Sequence, residues 1–135
     1  MSSLILAPPL SGNTIGSTSD NFVIAEWQDP GGPVGEKRLI APLHLHQSDD
    51  EAWYVLEGAL RVQVGDTEVE VRAGAAVLVP RLTPHTYWNP GPGRTRYLLV
   101  MTPNILRLIQ EIHSTSDRSP AALRVLFRKY NSELL

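Results

Sequence analysis

The chain has 135 residues, no cysteine and 42% apolar residues, which suits a single compact domain. With 12 Lys and Arg against 14 Asp and Glu, its formal net charge is -2. This charge provides no general attraction to phosphate backbones or anionic lipids. We therefore expect small molecules as partners, and neither nucleic acids nor membranes.

Short apolar runs and the lack of cysteine bear on where the protein works. The longest uninterrupted apolar runs have five residues each, whereas a helix needs about 18 to span a bilayer. The first ten residues lack a basic stretch followed by a long apolar core, so they do not predict a secretory signal. Since no disulfide is available to staple an extracellular fold, we expect a cytoplasmic protein.

The larger, N-terminal part of the chain contains short strand candidates separated by proline and glycine. Leu60, Val62 and Val64 alternate with polar residues, and Gly65 and Asp66 after them favour a tight hairpin. Eight such segments predict an all-β sandwich or barrel. The segments lie at residues 22–27, 39–45, 52–57, 59–64, 67–71, 76–79, 85–88 and 96–101.

Two amphipathic helices are predicted at the C-terminal end. Thr102 and Ser119 are typical N-cap residues, and each is followed by a proline, which favours the first helical position. Residues 102–135 contain five Lys and Arg against three Asp and Glu, so they present no basic stripe for DNA. We interpret the helices as caps of a barrel end or as a subunit interface. Their apolar faces comprise Ile105, Leu108, Ile109 and Ile112, then Leu123, Leu126, Phe127 and Tyr130.

Three of the four histidines lie beside turn residues in the β-rich part. His44 and His46 are one residue apart, so on a strand both rings point to the same face, at a separation that one metal ion can bridge. Glu51 follows five residues after His46 across a polar link, and His85 begins a later strand. Three imidazoles and one carboxylate are a suitable ligand set for a divalent transition metal.

The alternative for each histidine is an ordinary hydrogen-bonded role in the core or at the surface. That alternative suits a lone histidine, whereas two histidines at ligand spacing followed by a glutamate are rarer by chance. His113 lies on the polar flank of the first predicted helix without such neighbours. We interpret His113 as facing solvent.

These residues carry a resemblance to the cupin superfamily, whose two motifs both occur here in order. The first motif has two histidines, a glutamate and a glycine, and the second has a glycine, a proline, a histidine and an asparagine. The matching residues are His44, His46, Glu51 and Gly58, then Gly74, Pro80, His85 and Asn89. Arg38 and Leu82 replace glycines of the family pattern, which bears on loop geometry and leaves all four ligand positions intact.

The resemblance implies a cupin-type double-stranded β-helix, a jelly-roll barrel, over residues 22–101. Residues 1–21 precede it as an N-terminal arm or an irregular edge strand, since they show no clear pattern. Residues 102–135 follow as two α-helices packed on the barrel or at a dimer interface. Because a small open barrel leaves strand edges exposed, we also expect a homodimer.

The resemblance further implies that His44, His46, Glu51 and His85 bind one divalent transition metal. An octahedral ion such as Fe, Mn or Ni would keep two positions open for a ligand. Zinc is less favoured because four protein ligands would close its tetrahedral site. Glu51 would also accept a proton from the substrate and is the predicted catalytic residue.

Strand parity predicts which other side chains line the cavity. The residues that share a face with a predicted ligand are Trp53 and Val55, beside Glu51, and Tyr87 and Asn89, beside His85. For the aromatic residues, ordinary barrel packing is the alternative. Arg81 and Tyr54 would reach an anionic or hydroxylated ligand from the rim.

Three functions are compatible with such a site. The first is a metal-dependent oxidoreductase of dioxygenase type, because residues 50–58 resemble those of small, single-domain quercetin-dioxygenase-like cupins. The second is a metal-dependent isomerase of a sugar or keto compound, which would use the same ligands without consuming oxygen. The third is a non-catalytic cupin that binds a small molecule and uses the metal as an anchor.

Overall fold

The computed structural model describes residues 4–135, so the first three residues of the predicted arm lie outside it. Ten strands and two helices make up the described part. The strands are β1 (Thr14–Ile15), β2 (Val23–Asp29), β3 (Leu39–His46), β4 (Glu51–Glu57), β5 (Ala59–Val64), β6 (Thr67–Arg72), β7 (Ala76–Val79), β8 (His85–Trp88), β9 (Thr95–Met101) and β10 (Ser132–Leu134). The helices, between β9 and β10, are α1 (Pro103–Ser114) and α2 (Pro120–Lys129).

The strands form two antiparallel sheets of five strands each. One sheet has the order β1-β2-β9-β4-β7, and the other has the order β10-β3-β8-β5-β6. Strands distant in sequence lie side by side, since β2 pairs with β9 and β3 pairs with β8. The chain passes back and forth between two facing sheets, which is the jelly-roll arrangement. The predicted all-β, double-stranded β-helix fold with a helical tail is therefore confirmed.

An apolar core fills the space between the two sheets. Alternate residues of each strand point inward, and Leu60 and Val62 of β5 are both fully buried, as their alternation predicted. Among the fully buried side chains, Trp53 of β4 and Tyr97 of β9 are the largest. Each large apolar side chain buried in this way stabilises the fold by about 1.5 to 3 kcal/mol. The barrel therefore has a core of its own that does not depend on a metal.

The predicted hairpin joins β5 to β6. Val64 and Thr67 form the last pair before the turn. Gly65 between them adopts a φ of +59°, a left-handed conformation that glycine enters without steric cost. The hairpin prediction is confirmed.

Both predicted helices are present with the predicted caps. The Thr102 side chain accepts a hydrogen bond from the Ile105 N–H at 3.3 Å, and Ser119 accepts one from the Ala122 N–H at 3.2 Å. Each helix thereby satisfies one of its free N–H groups. Within residues 4–135, no helix has the length and hydropathy that crossing a membrane would require.

Two strands are very short: β1 lies within residues 1–21, where an arm or an irregular edge strand was expected, and β10 has no counterpart in the sequence prediction. β1 pairs with the edge of β2, and β10 pairs with β3 so that Ser132 lies opposite His46. Strands of two and three residues are too short to show alternation, so periodicity does not reveal them. The end of the chain thus returns to the barrel beside the predicted ligands.

Gly58, between β4 and β5, is a position where only glycine fits. Its φ is +77°, and an added Cβ would lie 2.6 Å from the Arg94 carbonyl oxygen.

Gly65, whose added Cβ would meet no atom within 4 Å, provides the comparison for Gly58. We expect Gly65→Ala to lower the free energy of unfolding by about 1 to 2 kcal/mol. Gly58→Ala should lower it by about 1 to 3 kcal/mol more, because the methyl group also clashes with the backbone. Urea denaturation of both variants measures the difference, and equal losses would contradict this account.

Candidate metal centre

The four predicted ligands lie together at one end of the barrel. His44 and His46 belong to β3, Glu51 is the first residue of β4, and His85 is the first residue of β8. Antiparallel pairing of β3 with β8 places His44 opposite His85. All four side chains are buried, with at most 6% of any residue exposed, and their donor atoms lie within 4.8 Å of one another.

One atom of each ligand points toward a common centre. The Nε2 atom of His85 lies 2.6 Å from Oε1 of Glu51, and Nε2 of His46 lies 3.2 Å from the same oxygen. The Nε2 atoms of His44 and His46 are 3.2 Å apart. Three imidazole nitrogens and one carboxylate oxygen therefore converge, as the spacing of the residues had suggested.

In His44 and His85, the hydrogen-bond partner of Nδ1 shows which ring nitrogen carries the hydrogen. Nδ1 of His44 lies 2.5 Å from the Pro42 carbonyl oxygen, and Nδ1 of His85 lies 2.9 Å from the Thr83 carbonyl oxygen. A carbonyl oxygen only accepts hydrogen bonds, so each Nδ1 carries a hydrogen and donates it. In the neutral rings, the Nε2 atoms are then bare lone pairs aimed at the centre of the cluster.

Lone pairs this close together repel one another unless a positive charge lies between them. A hydrogen bond from Nε2 of His85 to Glu51 needs a second proton on the ring, which makes it an imidazolium. A divalent metal ion would replace that charge and contact all four donors, since nitrogen and carboxylate oxygen suit first-row transition metals. The residues present therefore fit a metal, and the cluster can hold one.

The electrostatics of the cluster favour the ligand forms of His44 and Glu51. Burial, with smaller contributions from the His85 and His46 rings, lowers the pKa of His44 from 6.5 to about 3. Burial by itself would raise the pKa of Glu51, but its contacts with the His46 and His85 rings outweigh burial and lower that pKa to about 2. At neutral pH, His44 is therefore neutral and Glu51 is a carboxylate, as metal binding requires.

A cavity of about 430 Å³ adjoins the cluster and is lined mostly by apolar side chains. His44, His46 and Glu51 form part of its wall. The tail helices supply another part, namely Ile105, Leu108, Ile109 and Ile112 of α1 and Phe127 of α2. The face of α1 that was predicted as a cap of the barrel end or a subunit interface thus lines this cavity.

Two of the four predicted pocket residues line the cavity. Trp53 and Tyr87 are in its wall, together with Tyr97 of β9. Val55 is fully buried in the core, and Asn89 lies beyond β8, where it donates to the Gly93 carbonyl. Strand parity predicts the face on which a side chain lies but not its position along the strand. Val55 and Asn89 come two residues after Trp53 and Tyr87, so they lie away from the cluster.

The two predicted rim residues have other surroundings. The Arg81 backbone and guanidinium both bind the Asp50 carboxylate, and Tyr54 is 41% exposed on the outside of its sheet. Neither lines the cavity. Among the described residues that do line it, none is lysine or arginine, and His113, although exposed, is at its edge.

Trp53, Tyr87 and Tyr97 place polar groups in the mostly apolar wall of the cavity. The Trp53 indole N–H is buried and has no acceptor among the described residues. The hydroxyls of Tyr87 and Tyr97 lie 3.1 Å apart, and burial raises the pKa of Tyr97 to about 12, so both stay protonated. A buried donor without a partner costs about 1 to 3 kcal/mol, so this wall favours a molecule with an acceptor oxygen.

Fold and cluster together define the class, a double-stranded β-helix with a buried cluster of side chains that could hold a metal ion. The sequence profile of the family described as Cupin domain matches residues 33–101, just over half of the chain, and spans all four donors. The chain therefore belongs to the cupin family.

Comparisons with individual proteins agree with that assignment. A cupin protein of Bacteroides fragilis superposes with a TM-score of 0.60 at 11% identity, over 76% of this chain and 86% of that one. A putative sugar phosphate isomerase of Acidithiobacillus ferrooxidans superposes with a TM-score of 0.53 at 23% identity, over 62% and 51% of the two chains. These likenesses show a shared fold.

One relative matches this chain in sequence. An uncharacterized protein of Methanocaldococcus jannaschii is 37% identical over 59 residues, which are 44% of this chain and 45% of the relative. The chain thus spans about half the length or less of this relative and of the Acidithiobacillus protein.

The convergence of the four donors generates a direct test. We expect His85→Ala to lower the metal content of the purified protein at least tenfold, because it removes one of four ligands. The fold should persist, since the core does not depend on the ion. His113→Ala is the matched control, because that histidine is exposed on α1. Elemental analysis of protein purified without chelators or a nickel column gives the result, and equal metal content in both variants would contradict the assignment.

Proposed function

We propose that the protein is a metal-dependent oxidoreductase of dioxygenase type that acts on a neutral, largely apolar small molecule carrying an oxygen ligand. One observation carries this proposal: the cluster of three histidines and one glutamate opens onto an apolar cavity whose described lining contains no lysine or arginine. The site supports binding of metal and ligand side by side.

The metal would be held by His44, His46, Glu51 and His85. When bound, an octahedral ion with open positions would act as a Lewis acid on an enol or hydroxyl oxygen, and a redox-active ion would support reaction with dioxygen. We favour Fe, Mn or Ni over Zn because four protein ligands would complete the tetrahedral coordination of zinc. These four side chains would also fix where the substrate oxygen lies.

Glu51 is the residue that we propose as proton acceptor. It lines the cavity, its pKa is lowered to about 2, and it is therefore a carboxylate at neutral pH. Because a carboxylate of low pKa is a weak base, an enol or hydroxyl would lose its proton to Glu51 only where a bound metal has first lowered the pKa of that oxygen.

The walls of the cavity argue for the kind of substrate. Away from the metal, a phosphate or carboxylate buried there would find no lysine or arginine in the described lining, and an unpaired buried charge is costly. The described lining offers instead the aliphatic side chains of α1 and the rings of Trp27, Trp53 and Phe127. These surfaces suit an aromatic or alkyl molecule, and the unpaired Trp53 N–H would donate to a second oxygen on it.

The isomerase alternative receives less support from the site. The Acidithiobacillus protein is described as a putative sugar phosphate isomerase, and its likeness to this chain at 23% identity concerns the fold. A sugar phosphate presents many hydroxyls and two negative charges, whereas this cavity presents mainly apolar surface. A dioxygenase substrate such as a flavonol or a β-diketone matches it better.

Oxygen uptake tests the proposed function. We expect the protein loaded in turn with Fe, Mn or Ni to consume dioxygen in the presence of a flavonol or an aromatic β-diketone, with both atoms of labelled dioxygen found in the products. His46→Ala, which removes a metal ligand, should lose at least nine tenths of the rate.

Two outcomes would contradict this proposal. Turnover of a sugar phosphate without oxygen uptake would favour the isomerase. Thermal stabilisation by a flavonol or β-diketone, without turnover under any metal, would favour a non-catalytic binding protein.

We also propose that the protein forms a homodimer. The sheet edges are β1 and β7 in one sheet and β10 and β6 in the other, so β6 and β7 present free backbone groups typical of edge strands. A second copy of the chain would cover such an edge. Light scattering should then give a mass of about 30 kDa, twice the 14.9 kDa of one chain. A mass near 14.9 kDa would rule out the dimer.

A further inference from the structure

The three imidazoles of the cluster are oriented in two different ways. His44 and His85 each donate Nδ1–H to a carbonyl two residues earlier in the chain, so their orientation is local. Nδ1 of His46 lies instead 2.7 Å from the hydroxyl oxygen of Ser132, which is 86 residues further along the chain. The last strand of the protein therefore supplies the partner of a central ligand.

The direction of this hydrogen bond follows from the next one. The Ser132 hydroxyl lies 3.1 Å from the Tyr130 carbonyl oxygen, which only accepts, so the hydroxyl donates its hydrogen there. Its oxygen lone pair is left to accept the hydrogen on Nδ1 of His46. The Nε2 atom of the neutral ring is then unprotonated and points toward Glu51 and His44.

The backbone holds Ser132 in this position. Ser132 is fully buried and pairs with His46 across β10 and β3. On either side of this pair, the Gln47 N–H donates to the Asn131 carbonyl, and the Leu135 N–H donates to the Leu43 carbonyl. Directly opposite residues of an antiparallel pair present their side chains to the same face, which brings hydroxyl and ring together.

The turn before β10 and the two helices also help to position Ser132 and the cluster. Asn131 has a φ of +54°, a left-handed conformation that asparagine tolerates at the end of a helix. The Asn104 side chain of α1 donates to the Tyr130 carbonyl at 2.7 Å, the same oxygen that accepts from Ser132. Upstream, the Phe127 ring lies 5.3 Å from the ring of His44, edge to face.

We infer that Ser132 is a positioning residue that holds His46 in the tautomer and orientation of a metal ligand, so that the C-terminal strand β10 completes the metal centre. The inference rests on the proposed function as far as the metal is concerned. Because the cupin match ends at residue 101, this element belongs to the part of the chain outside it. Loss of the partner of a ligating histidine costs about 10- to 100-fold in metal affinity in other metal sites.

The tautomer of His46 can be read without any metal. We expect long-range proton–nitrogen spectra of metal-free wild-type protein, recorded at a pH where the ring is neutral, to show the hydrogen on Nδ1. In Ser132→Ala, the ring should divide between the two tautomers, because the acceptor oxygen is gone.

Metal affinity provides the second measurement. Competition with a chelator for Ni²⁺ should show at least tenfold weaker binding by Ser132→Ala than by wild type. Ser132→Thr retains the hydroxyl and should bind within threefold of wild type. Ser116→Ala, at an exposed serine between the two helices, is the matched control and should bind as wild type.

The outcomes separate this inference from the proposed function. A wild-type His46 ring with its hydrogen on Nε2, or Ser132→Ala with wild-type affinity for Ni²⁺, would overturn the inference. A wild-type protein that binds no metal, while Ser132→Ala still loses the single tautomer, would overturn the proposed function and leave the positioning role standing. Should the alanine variant fail to fold, the wild-type tautomer and the threonine variant decide the matter.

Discussion

Four buried donor atoms aimed at one point are the constraint on which the site depends. A buried carboxylate and several imidazole lone pairs are unfavourable together unless a positive charge lies between them. The surrounding structure maintains this arrangement through fixed ring orientations, since two rings donate to nearby carbonyls and the third contacts Ser132. The barrel core stabilises the fold independently, which allows it to keep the donors close.

The helical tail gives the site its chemical character. The apolar face of α1 and Phe127 of α2 line the cavity beside the cluster, so its walls are mostly aliphatic and aromatic. Low polarity strengthens electrostatic interactions within such a site. The tail would therefore affect which small molecules bind in the cavity and how strongly the four donor side chains interact.

Sequence reasoning succeeded where the relevant signal is local. The spacing of His44, His46 and Glu51, the Gly65 turn and the caps at Thr102 and Ser119 all depend on residues within a few positions of one another. It was less informative at Asn89 and Val55, which share strand parity with ligands yet lie away from the cavity. It gave no sign of Ser132, because a three-residue strand has no periodicity and a single serine carries no motif.

The amino-acid sequence by itself determined the strand pattern, the hairpin, the two capped helices and the identity of the candidate ligands, because these follow from periodicity, backbone preference and donor chemistry. Only the tertiary structure decided that α1 lines a cavity whose described walls contain no lysine or arginine, that Arg81 binds Asp50, and that β10 pairs with β3. Contacts between residues 86 positions apart depend on how sheets and helices pack, and local sequence does not specify that packing.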